Sequence, residues 1–299
     1  MKNRVISMSL ALALWLMPAL TGAGAEEKKY TLPLDLTPGM KLKQSNYLSD
    51  WHYKDPTIEM KAREVRDGEV LYWVAEVEIA DASQLRTMPS HSFSYASTAQ
   101  GRRLAQRANA VLACDGDFWH REVKWKGNYV LRQGFLYMQE LTGHSDLLLI
   151  DEDGDFHIIH HATEADVPKP DSYNDHVILD GKRILNGFCF GPALVENGKA
   201  LPIEPDEHMI TDQRVSRLGL CQMGPLKYAV VCCYNSSSGM TMDEFAHLLE
   251  SLGAQTAYNL DGGNSSMIFT GGTMINRNYT LREIADIIYF ASAWPEEGN

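Results

Sequence analysis

The sequence predicts an α+β fold, a single domain built on a mixed β-sheet with hairpins and a few packed helices, one of them in a strand-helix-strand crossover. Three observations predict it. Short apolar, β-branched segments dominate the chain, several pairs of them are joined by Asp-Gly or Asn-Gly, and one well-signalled helix lies between two apolar strands.

Taken in order, Lys2 and Arg4 precede an apolar run from Val5 to Leu20, and Ala23-Gly24-Ala25 then offers small residues to a signal peptidase. Residues 1–25 therefore read as a signal peptide. Their apolar core is shorter than the roughly 20 residues that span a bilayer, so no stable membrane span is expected after cleavage. Residues 26–55 form an N-terminal leader segment bearing Lys, Glu and Pro, and residues 56–299 form the domain. No long repeat or disordered linker marks a second one.

The segments "TIEMKAREVR" and "EVLYWVAEVEIAD" flank Asp67-Gly68 and read as a hairpin. The same pattern recurs in "DLLLIDEDGDFHII", at Asp180-Gly181 and at Asn197-Gly198. A first helix is expected from Ser97 to Ala108, feeding the strand "AVLACDGDFW". The second is better specified. In "TMDEFAHLLESLG", Thr241 and Glu244 make a capping box, Phe245, Leu248, Leu249 and Leu252 follow helical spacing, and Gly253 supplies the stop. It lies between "KYAVVCCY" and "AQTAYNL", an order that predicts a right-handed crossover and parallel neighbours in one sheet.

The formal charge of −12 becomes −14 once the two leader cations are removed, which argues against a nucleic-acid partner because phosphate backbones demand clustered cations. The five cysteines, Cys114, Cys189, Cys221, Cys232 and Cys233, lack Cys-x-x-Cys spacing and mostly sit in apolar strands, as buried free thiols do. No cofactor and no metal is expected. In "HIIHH", strand alternation splits His157, His160 and His161 between faces, and "DEDGD" lacks the distal Glu of a calcium loop.

Two loops carry chemistry. Asp115-Gly116-Asp117 ends the strand after the first helix, and Asp261-Gly262-Gly263 ends the strand after the crossover. Glycines let backbone approach a ligand, and Asn264, Ser265 and Ser266 add hydrogen-bonding groups without bulk. The two loops are expected to face each other across one cleft as a polar substrate site; ordinary Asp-Gly turns are the alternative. His120 is a candidate donor at the pocket edge, and Trp119 and Trp125 are either a sugar platform or packing residues.

From about Arg107 to Phe290 an ordered set of segments resembles the phosphodiester glycosidase family: "DGDFW", "GNYVLRQGFLY", "GFCFGPALVENG", "SGMTMDEFAHLLESLGAQTAY", "NLDGGNSS" and "REIADIIYF". The resemblance implies that Asp117 and Asp261 are active-site carboxylates, with Gly116, Gly262, Gly263, Asn264 and Ser265 shaping the pocket. It departs from the family pattern in three places. Asp115 stands where the family has Asn. The segment "QRVSRLG" carries one extra residue, so either Arg214 or Arg217 takes the family arginine's place. An Asp-Gly-Arg at the end of the preceding strand is replaced by Cys233, Tyr234 and Asn235.

The function so implied is secreted hydrolysis of a sugar-1-phosphate phosphodiester bond on a cell-surface or extracellular glycan. The partner would be a sugar-phosphate or glycopolymer, with the oligomeric state open. Two carboxylates suit glycoside hydrolysis, and an arginine suits the phosphate. The rival is a cell-wall glycan or sugar-phosphate binding module that no longer turns its ligand over, favoured by the missing Asp-Gly-Arg and the extra Asp115. Amino-terminal sequencing of exported protein is expected to begin at Glu26; recovery of Met1 on a stable membrane-bound form would overturn the signal-peptide reading.

Overall fold

The computed structural model describes residues 30–119, 127–167, 169, 170, 172, 175–233, 239–276 and 281–295. Along the chain come β1 (Tyr47–Ser49), β2 (His52–Asp55), β3 (Ile58–Asp67), β4 (Val70–Ile79), β5 (Leu85–Pro89), α1 (Gly101–Arg107) and β6 (Ala110–Asp115). Then follow β7 (Gly127–Arg132), β8 (Phe135–Leu141), β9 (Leu147–Asp151), β10 (Phe156–Ile159), β11 (Ile178–Leu179), β12 (Lys182–Phe188), β13 (Ala193–Glu196) and β14 (Lys199–Ala200). The last third holds β15 (Arg217–Gly224), β16 (Lys227–Cys233), α2 (Met242–Ser251), β17 (Thr256–Leu260), β18 (Ile268–Thr270), β19 (Thr273–Met274) and β20 (Asp286–Ala291).

These strands form three sheets. The largest has the order β1-β2-β3-β4-β16-β15-β17-β13-β14, the second β10-β9-β12-β7-β8 with β11 on β12, and the third β19-β18-β6-β20-β5. Alternation along each strand explains why they stack. In β16, Tyr228, Val230 and Cys232 enter the central core while Ala229, Val231 and Cys233 face α2. In β9, Leu148 and Ile150 enter the same central core, and Leu147 and Leu149 face a separate cluster on the outer side. The third sheet sends Leu112, Cys114, Ile288 and Phe290 inward and packs Ala113, Ile287 and Tyr289 with Leu104 and Ala105 of α1.

The α+β expectation is corrected. Strand accounts for 46% and helix for 11%, so the fold is mostly β, with two α-helices among the described residues rather than several packed ones. The first helix runs over Gly101–Arg107, shorter than the expected span from Ser97. The mixed sheet and the parallel neighbours are also overturned, since every strand pairing among the described residues is antiparallel, including both ladders of β15, to β16 and to β17. The chain does pass from β16 through α2 to β17. However, β15 pairs with β16 as a hairpin and occupies the slot beside it, so α2 carries the chain over β15 and β17 joins on the far side. Two parallel-running strands are thereby separated by one antiparallel strand. Local pattern marks the crossover but not which strand already fills the gap.

Turn and cap chemistry behave as the residues dictate. The Asp180-Gly181 and Asn197-Gly198 turns both take positive φ at their two residues, at 50° and 83° and at 51° and 72°, the geometry that matches hairpin twist. Thr241 accepts from the Glu244 N–H at 3.2 Å, and the Glu244 carboxylate accepts from the Thr241 N–H at 3.0 Å. Phe245 and Leu249 are fully buried against the large sheet, where Gly219 of β15 leaves the room they fill. All five cysteines are buried and free. No helix among the described residues is long and apolar enough to cross a membrane, and residues 1–25, the expected signal peptide, lie outside the described residues. Ahead of the domain boundary placed at residue 56, β1 and β2 pair into the large sheet.

Because Phe245 is the largest side chain that α2 buries, Phe245→Ala is expected to cost about 3–5 kcal/mol in urea unfolding, the range for emptying a buried aromatic site.

Candidate functional site

The ends of β6, β17 and β20 meet, and each brings a carboxylate. β6 terminates in Asp115, followed by Gly116 and Asp117. β20 opens with Asp286, and Asp261 directly follows β17. Asp115, Asp117 and Asp286 are at most 2% exposed. Asp286 is the hub of the inner group: its Oδ1 accepts the Asp117 N–H at 3.2 Å and its Oδ2 accepts Nε–H of Arg132 at 3.1 Å. Arg132, wholly buried at the end of β7, also stands 3.9 Å from Asp117 Oδ2, and it donates to the Leu131 and Gly187 carbonyls. Asp117 Oδ2 accepts the Cys189 N–H at 2.9 Å. A side chain at Gly116 would place its Cβ 2.4 Å from Asp286 Oδ1, so the approach of the loop to β20 requires glycine.

The outer group borders open space. Asp261 lines a cleft of about 300 Å³ together with Phe190, His208, Arg217, Asn259 and Arg282. Arg282 pairs with Asp261 Oδ2 and donates from Nε to the Ser265 hydroxyl at 2.5 Å, and Ser265 in turn hydrogen-bonds the Asp261 carboxyl. Its guanidinium also lies 4.9 Å from the centre of the Phe118 ring. Gly262 and Gly263 form the cleft floor; a Cβ on Gly262 would meet the Ser216 carbonyl oxygen at 2.8 Å, while the Gly263 N–H donates to that same oxygen at 2.9 Å. A second cleft, of about 440 Å³, adjoins the first through Phe190 and Met209.

Burial sets the electrostatics. It pushes the Asp261 carboxyl above the ordinary carboxylate value, with the Arg282 charge and the Ser265 and Arg282 hydrogen bonds pulling the other way and the nearby Asp117 charge adding to the rise. Asp286 is likewise raised by burial in spite of Arg132. Burial lowers the Arg217 value, and the neighbouring Cys233 thiol is pushed up to about 11, so it stays a neutral thiol.

Of the residues singled out in sequence, Asp261, Gly262, Gly263, Asn264 and Arg217 line the cleft. Ser265 stands beneath Asp261, and Gly116 and Asp117 sit behind it in the Arg132 network, close enough for Asp117 to act on Asp261 by charge. Arg217 opens β15 and directs Nε and one terminal nitrogen to the Met240 and Gln213 carbonyls, each at 3.0 Å. Arg214 lies outside, exposed and paired with Glu244. Trp119 is packed against Phe93 at 1% exposure and offers no platform. His120, Trp125, Tyr234 and Asn235 lie outside the described residues. His157 pairs with Asp151, and His160 with Asp146 and Glu196. The acidic turn at 151–155 is bridged by the Lys182 ammonium, 2.8 Å from Asp151 and 3.1 Å from Asp153.

Sequence reading missed Arg132, Arg282, Asp286 and His208. Arg132 and Asp286 had a usable signal: each is a charge at the end of a strand that is mostly apolar, "NYVLR" and "DIIYF", and a buried charge there requires a partner.

Residues 108–291, more than half of the chain, match the phosphodiester glycosidase family. The chain belongs to that family. Among solved structures it resembles the catalytic domain of zebrafish N-acetylglucosamine-1-phosphodiester alpha-N-acetylglucosaminidase, auto-inhibited by its pro-peptide, at 12% identity over 85% of this chain and 87% of that one, with a TM-score of 0.60. It also resembles a hypothetical protein from Synechocystis at 17% identity and a TM-score of 0.53, covering 78% of this chain and 62% of the Synechocystis chain. At these identities the likeness is one of fold. No curated protein sequence matches the chain significantly.

The inner network yields a test. Removing Arg132 strips the cation from two buried carboxylates, so Arg132→Met is expected to cost about 3–5 kcal/mol at neutral pH in urea unfolding. Because burial raises the folded value of Asp286, the folded chain takes up a proton there at a higher pH than the unfolded chain does. Stability is therefore lost as pH rises from the ordinary carboxylate value toward the folded one, and without Arg132 that window widens. The penalty should accordingly be smaller at pH 5 than at pH 7; equal penalties at both would show that Arg132 does not neutralise these carboxylates.

Proposed function

We propose that this protein is a hydrolase of sugar-1-phosphodiesters that acts outside the cytoplasm, with the sugar seated in the cleft beside Asp261. The observation that carries the reading is the Asp261–Arg282 pair at the edge of a cleft of about 300 Å³, near the lower limit for small-ligand sites, in a chain of the phosphodiester glycosidase family. Export rests on the signal-peptide pattern of residues 1–25.

As the bond from the anomeric carbon to phosphate breaks, positive charge grows on the ring and negative charge on the leaving phosphate. A carboxylate must face the first and a cation the second. Asp261 supplies the carboxylate, and Gly262 and Gly263 leave the ring free to approach it. Arg282, with a side chain 39% exposed, turns from Asp261 toward an incoming phosphate, which frees the carboxylate as the substrate binds. Arg217 adds a second positive charge along the cleft, and Asn264 a polar group at its rim. Asp117 stands one row behind, where its charge helps hold Arg132 and Asp286 and acts on Asp261 through space. The departing phosphate needs no proton from the protein: as its bond to the anomeric carbon breaks, water adds to that carbon and gives its proton to the Asp261 carboxylate, so one directly facing carboxylate serves the hydrolysis.

Asp261→Asn keeps shape and removes charge. Turnover of a sugar-1-phosphodiester is expected to fall by about 100-fold or more while substrate binding survives, whereas Asp117→Asn should lose less turnover and more stability. The check is a panel of sugar-1-phosphodiesters followed by released sugar. Hydrolysis unchanged in both variants would refute the assignment, and tight binding without turnover in the parent protein would favour the binding-module reading.

A further inference from the structure

We propose that Asp115 is a positioning residue that carries its proton at neutral pH, standing behind Asp261 as a neutral carboxylic acid. Its effect on turnover rests on the function proposed above; its protonation does not. Among the described residues, Asp115, Asp117, Asp261 and Asp286 form one cluster with two guanidinium groups, Arg132 and Arg282. Arg132 is committed to Asp286 and Asp117, and Arg282 to Asp261. Asp115 has no ion-pair partner among the described residues and accepts one hydrogen bond, from the Gly116 N–H at 2.8 Å. Asp115 is almost wholly buried and no cation among the described residues pairs with it, so its ionised form would be an uncompensated charge at a site nearly closed to water, and a proton relieves it.

The strand geometry closes off alternatives. Asp115 is 2% exposed at the end of β6, opposite the apolar Ile287 of β20. Among the described residues, the titratable or charged groups around it are Cys114 and Asp117 from its own segment, Asp286 from β20 with Arg132 of β7 behind it, Asp261 from the loop after β17, and Arg282 from the segment leading to β20. Burial and then the Asp261 and Asp286 charges push the Asp115 carboxyl well above its usual value, against the Gly116 N–H and the more distant Arg282. A neutral Asp has the size of Asn and, like it, carries a donor and no charge. The substitution of Asp for Asn in the first loop therefore adds no charge at neutral pH and adds one only when alkali removes the proton. That charge would oppose an anionic diester at Asp261.

The deciding measurement is a carbon-13 carboxyl titration of the uniformly labelled full-length chain, with Asp115 assigned through its backbone. The Asp115 carbon is expected to keep the shift of a protonated acid at pH 7 and to move only above it. A carboxylate shift at pH 7 would overturn the proposal, and this readout stands whether or not any diester is hydrolysed or any variant folds. The positioning role is read on a hydrolysed sugar-1-phosphodiester. Once pH passes the Asp115 transition, the wild-type KM should rise by up to about tenfold per pH unit, the limit for one linked proton. In Asp115→Asn that rise should be absent while kcat follows its wild-type pH dependence. A KM profile identical in the two proteins would overturn the positioning role even where the proton is found.

Discussion

A wholly buried arginine holds the ends of two sheets together. Arg132 leaves the second sheet at the end of β7 and reaches Asp286 at the head of β20 and Asp117 beyond β6, both belonging to the third sheet. Its guanidinium lies 4.2 Å from the Phe188 ring centre, so the charge is enclosed by an aromatic face as well as by carboxylates and carbonyls. Burying such a group is costly unless its donors are matched, and it fixes where β6 can end relative to β20 to within hydrogen-bond tolerance. Gly116 is the local concession: only a residue without Cβ lets the loop pass Asp286. The placement of Asp115, and through it the electrostatic setting of Asp261, follows from that one constraint.

Around this anchor the carboxylates divide by solvent access. The inner ones, with Arg132, are sealed, and their hydrogen bonds are spent on backbone groups and on each other. Asp261 is 7% exposed, and its partner Arg282 has a side chain 39% exposed. An ion pair that is part-wet can exchange partners at small cost, whereas a dry one cannot. Under the proposed function the inner network is the scaffold and the outer pair the group that responds to a ligand. Burial, with a smaller push from the Asp117 charge, keeps Asp261 less acidic than a surface carboxylate, a property that functional sites share.

What was legible in the sequence was local. The hairpin turns at Asp180-Gly181 and Asn197-Gly198, the Thr241–Glu244 box and the Gly262-Gly263 floor all depend on residues within four positions of one another. What was not legible is the pairing of distant segments. Nothing near β16 or β17 announces that β15 lies between them, so the crossover reads as parallel adjacency when the sheet is antiparallel. Arg132 and Asp286 are separated by 154 positions, and Arg282 follows Asp261 by 21. The choice between Arg214 and Arg217 was open for the same reason. It depends on where β15 begins: Arg217 is its first residue and turns inward, while Arg214 precedes it and pairs at the surface with Glu244, the same carboxylate that caps α2.

The replaced strand end near Cys233 has a consequence for Arg217. A carboxylate there would form an ion pair with this arginine and cancel its charge. The residue present is instead a buried thiol, neutral because desolvation holds its pKa up at about 11, and the bonds of Arg217 go to the Met240 and Gln213 carbonyls. Carbonyls satisfy its donors without removing its net charge. Among the described residues no carboxylate pairs with Arg217, so the cleft edge carries two guanidiniums, Arg217 and Arg282, against the single carboxylate Asp261. That excess of one positive charge among the described residues is the complement of the single negative charge on the phosphodiester proposed as substrate, and it depends on Arg217 being bonded to carbonyls rather than to a carboxylate.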